Sequence, residues 1–166
     1  VLLNHDLPAG LARGLAAEGV DPSRAWLAAE TDLNLAGSYE PVYVLALDDR
    51  IVTAALPRDG HERHVRMSIP KPEIAEVRTR QGIGGGFLEA KIGGVFVEVL
   101  AYSKSRADTF HKAAKKLSDW LKGAAVRVGP EDDEDPRKCP KCGMTLEFKG
   151  DICRRCINQG AVASRV

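Results

Sequence analysis

Cysteine is absent from the first 138 residues, and no apolar run approaches the roughly twenty residues of a bilayer-spanning helix. Most of the chain therefore has no thiol nucleophile and no disulfide framework, and nothing in it crosses a membrane as a helix. No signal-peptide pattern opens it. Aromatic residues are only 5% of the total, and Phe148 is alone among the basic residues near the C-terminus. A base-stacking platform for nucleic acid needs interleaved aromatics, so nucleic acid is not an expected partner of Lys138, Lys141, Arg154 and Arg155. A phosphate-cradling loop is lacking too. Gly82-Ile83-Gly84-Gly85-Gly86 has no following Lys-Ser/Thr and lies between expected strands, so it reads as a flexible strand-to-strand loop. No Ser-His-Asp or Cys-His set can be assembled, and His5 and His111 stand alone. His61-Glu62-Arg63-His64 falls in an expected loop without a helical frame and reads as polar surface rather than a metal pair. The sequence offers no catalytic centre, and the expectation is a non-enzyme.

What is present is enough for a globular core: 44% hydrophobic and 28% charged residues. The net charge of +1 conceals segregated blocks. Residues 1–49 carry two basic and eight acidic residues, and residues 50–129 carry fifteen and eight. Glu131 to Asp135 are five consecutive acids, and residues 137–166 hold seven basic against two acidic residues. Blocks of this kind mark solvated faces and linkers. The missing initiating Met and the end at Arg165-Val166 lead us to expect a fragment of something longer.

The first segment reads as helical. Pro8, Leu11 and Leu15 share one side of a short helix that Gly19 ends. Asp21-Pro22 then predicts a capped second helix through Trp26, Leu27 and Glu30, and Gly37 closes the region. From Pro41 the period changes. Val42–Leu47 and Ile51–Leu56 predict a hairpin turning at Asp48-Asp49-Arg50. Val65–Ile69 and Ile74–Arg80 predict strands parted by Pro70-Lys71-Pro72, and Phe87–Ile92 and Val95–Leu100 flank a Gly93-Gly94 turn. Six or seven evenly spaced antiparallel strands suggest a barrel or sandwich. A strong helix follows. Ser105 with Asp108 predicts a capping box, and Ala107, Phe110, Ala114, Leu117 and Leu121 draw an apolar stripe that docks on the sheet. Residues 129–136 hold two prolines, five acids and no hydrophobe, so they predict an extended linker.

All four cysteines come after that linker, as Cys139-Pro-Lys-Cys142 and Cys153-Arg-Arg-Cys156 with ten residues between the pairs. Two C-x2-C pairs bring four thiolates to one tetrahedral centre, as a structural Zn2+ prefers. So short a segment cannot bury a core of its own, and the metal would supply its folding energy. Gly143 suits the turn after the first pair, whereas Ile157 occupies the equivalent place after the second. Two disulfides, a redox C-x-x-C and an iron–sulfur centre are the alternatives for this spacing; a closed zinc ribbon is the expectation. Such a site has no open position for catalysis, and its formal −2 charge accounts for the neighbouring cations. Arg58, Arg63, Arg66 and Lys71, in loops between the early strands, are the candidate positions for an anionic ligand such as a lipid headgroup.

The stretch Tyr43 to Ile51, then Ile69 to Val77 and the helix at Ser105–Leu121, resembles bacterial pleckstrin-homology-like domains. In the longer order, Asp32-Leu-Asn-Leu-Ala-Gly-Ser-Tyr39 precedes the barrel, the acidic linker follows it, and Cys139-Pro-Lys-Cys142-Gly143 and Cys153-Arg-Arg-Cys156-Ile-Asn-Gln-Gly160 close the chain. That order resembles the cytoplasmic N-terminal extension of a subset of bacterial ABC exporters, where the zinc-ribbon segment leads into the first transmembrane helix. The resemblance implies an α+β protein, mainly β: a helical segment at 1–40, a barrel with its C-terminal helix at 41–127, a linker at 128–137, a zinc ribbon at 138–160 and a lead-in at 161–166. It implies a regulatory or scaffolding role at the inner face of the cell membrane. The partners would be the parent's own transmembrane and ATPase domains, with a homodimer possible through that parent and the membrane met only indirectly. The chain itself has no Walker motif. A stand-alone zinc-ribbon adaptor and a peripheral lipid-binding module are the alternatives.

Overall fold

A computed structural model describes residues 6–57, 63–126 and 128. The chain divides into two units, 1–132 and 133–166, and every described residue belongs to the first.

Helix α1 spans Ala9–Ala17 directly after Pro8. It ends where the glycine predicts. Gly19 N–H donates to Ala16 O (3.1 Å) and Val20 N–H to Leu15 O (2.9 Å), the two bonds of a Schellman stop. The expected second helix does not form. Asp21 Oδ1 accepts from Ser23 N–H (3.0 Å), but only one 3-10 turn, Pro22–Arg24, follows it. The chain then enters strand β1, Leu27–Leu33, which pairs antiparallel with β2, Tyr39–Ala46, from Leu27↔Ala46 to Thr31↔Val42. Residues 1–40 are therefore not a helical segment beside a barrel: they supply its first strand, and the boundary at 40/41 falls inside β2. Alanine, leucine and glutamate are good helix formers, but propensity is a weak prior and sheet pairing overrides it. The strand's own period was there to read, since Leu27, Ala29 and Thr31 are fully buried at alternate positions.

The remaining strands are β3 (Arg50–Ala54), β4 (Val65–Pro70), β5 (Ile74–Gly82), β6 (Gly85–Ile92) and β7 (Val95–Ser103). All ladders are antiparallel, and the strand order is β4-β3-β2-β1-β7-β6-β5. Two hairpin meanders, β1–β4 and β5–β7, thus form one barrel-like sheet. They meet at a seam between β1 and β7 and at a corner turn, Lys71–Glu73. Gly93 and Gly94 turn the β6–β7 hairpin with φ of 57° and 86°, the left-handed pair that a tight two-residue turn requires.

The glycine-rich stretch is not a flexible loop. Gly82 ends β5, Gly85 and Gly86 open β6, and only Ile83-Gly84 turns. A Cβ at Gly85 would lie 2.0 Å from Tyr102 O, and one at Gly86 would lie 2.6 Å from Tyr102 Oη, so close strand packing dictates both glycines.

β2 and β3 are buried on both faces, which is why Val42–Leu47 is apolar without a break. Val44, Ala46 and Ile51 belong to the main core; Tyr43, Leu45, Leu47 and Val52 belong to a second cluster with Leu11 and Leu15 of α1. The C-terminal helix α2, Ala107–Leu121, packs chiefly on β5 and buries Phe110, Ala113, Ala114, Leu117 and Trp120. The stripe read from sequence missed Trp120, while Ala107 and Leu121 are only partly buried. Ser105 does not cap this helix: Arg106 is the cap residue, without a side-chain cap bond, and Ser105 Oγ instead meets Ser103 Oγ (2.7 Å). Among the described residues no helix is long and apolar enough to cross a membrane.

Candidate functional site

The seam between β1 and β7 is short, and it shapes the site. One ladder pair, Leu33↔Ala101, joins the strands. Side chains add the rest: Thr31 Oγ1 donates to Ala101 O, and Asp32 accepts from Ser103 N–H (3.1 Å) and Ser103 Oγ (2.6 Å). Burial alone would raise the Asp32 pKa, but the Ser103 bonds outweigh it and hold the carboxyl below its ordinary range. Past Leu33 the chain leaves the seam in a loop organised by Asn34. Asn34 Oδ1 accepts from Ala36 N–H and Ser38 N–H (both 3.0 Å), and Asn34 Nδ2 donates to Glu40 Oε2 (2.9 Å).

That loop forms the lip of a cavity of about 270 Å3. Its apolar wall comes from Leu33, Val42, Met67, Val99 and Leu100. Its rim carries Asn34, Glu40 and Arg66, with Leu35 47% exposed beside them. Glu40 and Arg66 are each about four-fifths buried and stand 3.7 Å apart, near enough to attract but beyond hydrogen-bond length. Arg66 Nη2 also reaches Leu56 O at 3.4 Å.

Of the four basic residues expected to hold an anionic ligand, the three described ones, Arg63, Arg66 and Lys71, are not drawn together. Arg58 lies outside the described residues. Arg63 is 82% exposed and 3.9 Å from Glu18, while Arg66 faces Glu40. Lys71 stands past the far end of β4 from Arg66, with Nζ 4.5 Å from the Trp120 ring centroid. Trp120 also meets Trp26 at 6.0 Å between centroids, and Trp26 Nε1 donates to Leu47 O (3.3 Å). His64 is likewise committed: its Nδ1 is 3.1 Å from Glu18 Oε1, the oxygen that also accepts from His64 N–H (2.6 Å). The second Glu18 oxygen accepts from Val65 N–H (3.1 Å). These bonds, led by the one from the His64 backbone, hold the Glu18 pKa below the ordinary glutamate range and tie the end of α1 to the start of β4.

The outer face of β5–β7 is different in kind. Glu89, 4% exposed, accepts from Arg78 Nε (2.8 Å) and Arg80 Nε (2.6 Å). Burial works to raise its pKa, yet the bonds from Arg80 and Arg78 overcome it and keep it low. The Arg78 guanidinium lies 3.4 Å from the Phe96 ring centroid, and that of Arg80 lies 4.5 Å from Phe87. Sequence reasoning assigned no structural role to Glu18, Asn34, Glu40 or Glu89. For Asn34 the signal was an Asn three residues before Gly37, which initiates a tight turn.

Cys139, Cys142, Cys153 and Cys156, with the acidic linker, lie outside the described residues. Among the described residues no three His, Cys, Asp or Glu side chains are placed to hold a metal. As a donor set the four cysteines fit one Zn2+: four thiolates satisfy a tetrahedral ion and leave no position for substrate. No family model matches the chain, and no curated protein matches it.

Proposed function

We propose that this chain is a non-catalytic regulatory or scaffolding module of a bacterial ABC exporter, with a PH-like barrel joined by an acidic linker to a four-cysteine zinc ribbon. One observation carries the reading: a seven-stranded antiparallel sheet with a helix packed on it, followed in sequence by two C-x2-C pairs. Cys139, Cys142, Cys153 and Cys156 would hold the zinc, which would supply folding energy to the ribbon. A module of this kind regulates only by binding one state of the transporter better than another, so its contacts must differ between states.

Two measurements test the reading. Metal analysis with thiol titration of protein purified without added metal is expected to give one zinc per chain and four thiols released on chelation. Metal-free protein without titratable thiols would replace the ribbon by disulfides and remove the cytoplasmic setting. Deleting residues 1–136 from the parent transporter is expected to change its ATPase or transport rate, and an unchanged rate leaves scaffolding alone.

A further inference from the structure

We infer that the cavity at the fork between β1 and β7 binds an uncharged small molecule, one with an apolar body of about ten non-hydrogen atoms and a single hydrogen-bonding group. Such a site stands independently of the transporter reading.

Position and wall restrict the occupant first. β1 leaves β7 at Leu33↔Ala101, so the barrel-like sheet opens there, and the mouths of such sheets commonly take small ligands. Leu33, Val42, Met67, Val99 and Leu100 make the wall apolar, which selects an apolar body. Thr53, 2% exposed, stands in the same wall. Among the described residues its hydroxyl has no hydrogen-bond partner. A buried hydroxyl is costly to leave unpaired, so the ligand that suits this wall carries one group to bond it. The cavity measures about 270 Å3. Roughly 150 Å3 holds one benzene and drug-sized sites begin near 300 Å3, which sets the size at about ten non-hydrogen atoms.

The rim disfavours charge. Glu40 and Arg66 stand 3.7 Å apart, Glu40 also accepts from Asn34 Nδ2 (2.9 Å), and Arg66 Nη2 reaches Leu56 O at 3.4 Å. Both charges are thus engaged already, and a charged ligand would give up its water without meeting a free counter-charge. The wall also disfavours a polypeptide strand. Val99 and Leu100, the β7 residues bordering the cavity, are 3% and 1% exposed, so an incoming strand finds no open backbone to pair with there. A small molecule needs only the lip, where Leu35 is 47% exposed.

The test is an amide-shift titration of the 15N-labelled full chain with p-propylphenol, which has that size and stays uncharged below a phenol pKa of about 10. Saturable shifts in residues 33–36 and at Thr53 and Met67 are expected. Propylbenzene, which lacks the hydroxyl, is expected to bind about fivefold more weakly, and Thr53→Val is expected to abolish that difference by weakening the phenol alone. The anion p-ethylbenzoate is expected to bind about tenfold more weakly than the phenol. Absence of saturable shifts at millimolar phenol, or shifts confined elsewhere, would overturn the proposal. Equal binding of propylbenzene and the phenol to the unaltered chain would overturn it in favour of a void that recognises no polar group. Tighter binding of the benzoate would overturn it in favour of an anion site at Arg66. Shifts of the same amides on dilution without ligand would overturn it in favour of a second copy covering the mouth.

Discussion

The two outer faces of the sheet solve the same problem in opposite ways. The face of β2–β3 is apolar and covered: Tyr43, Leu45, Leu47 and Val52 pack under Leu11 and Leu15 of α1. Among the described residues the face of β5–β7 has no such cover, and its side chains protect one another. Arg78 and Arg80 close over Glu89 while lying against Phe96 and Phe87. One face gains stability by removing apolar area from water. The other gains it from charge-assisted bonds and cation–π contacts that remain partly wet, which are weaker per residue.

Substitutions sharpen that contrast. Leu15→Ala, at a fully buried position, is expected to cost about 2–5 kcal/mol in denaturant unfolding. A loss below about 1 kcal/mol would mean that α1 rests on the sheet loosely and would dissolve the comparison. Glu89→Ala leaves two half-exposed arginines without their shared acceptor, and about 1–3 kcal/mol is expected. Its pH signature is separate. Glu18, Asp32 and Glu89 all have lowered pKa values in the folded chain. Their contribution is therefore complete above the unfolded carboxylate values of about 4 and is lost as pH falls through the lower folded values. Glu89→Gln is expected to flatten part of that acid slope, and an unchanged slope would show that the arginines do not stabilise the carboxylate. The smallest effect is expected at Phe96→Ala, about 1 kcal/mol or less, because its guanidinium partner keeps its bond to Glu89.

The covered face was legible in the sequence and the bare one only partly. An unbroken apolar run at Val42–Leu47 announces a strand buried on both sides, and Leu11 with Leu15 announces a helix that needs a surface. The strands of the second meander and the helix at 107–121 were legible by period. β1 was not, because Leu27-Ala-Ala-Glu30 suits a helix locally and only its pairing with β2 decides otherwise. The cavity was illegible for a related reason. Leu33, Val42, Met67 and Leu100 are far apart in sequence, and each reads alone as ordinary core. Of the cationic residues expected to act together, Arg66 and Lys71 stand at opposite ends of β4, because an extended strand lies between them. The C-x2-C pairs are the reverse case, since their spacing carries the chemistry without a fold to consult.

The seam also dictates an order of events in time. Each meander is built from neighbouring hairpins, which close short loops and form quickly. The bond from Thr31 to Ala101 instead joins residues 70 apart in the chain, and it can reward the protein only after both meanders hold their shape. Joining of the two meanders is then the late step of folding. Its expected mark is a Thr31→Val variant that unfolds faster while refolding at the original rate; equal slowing of refolding would place the seam in the nucleus.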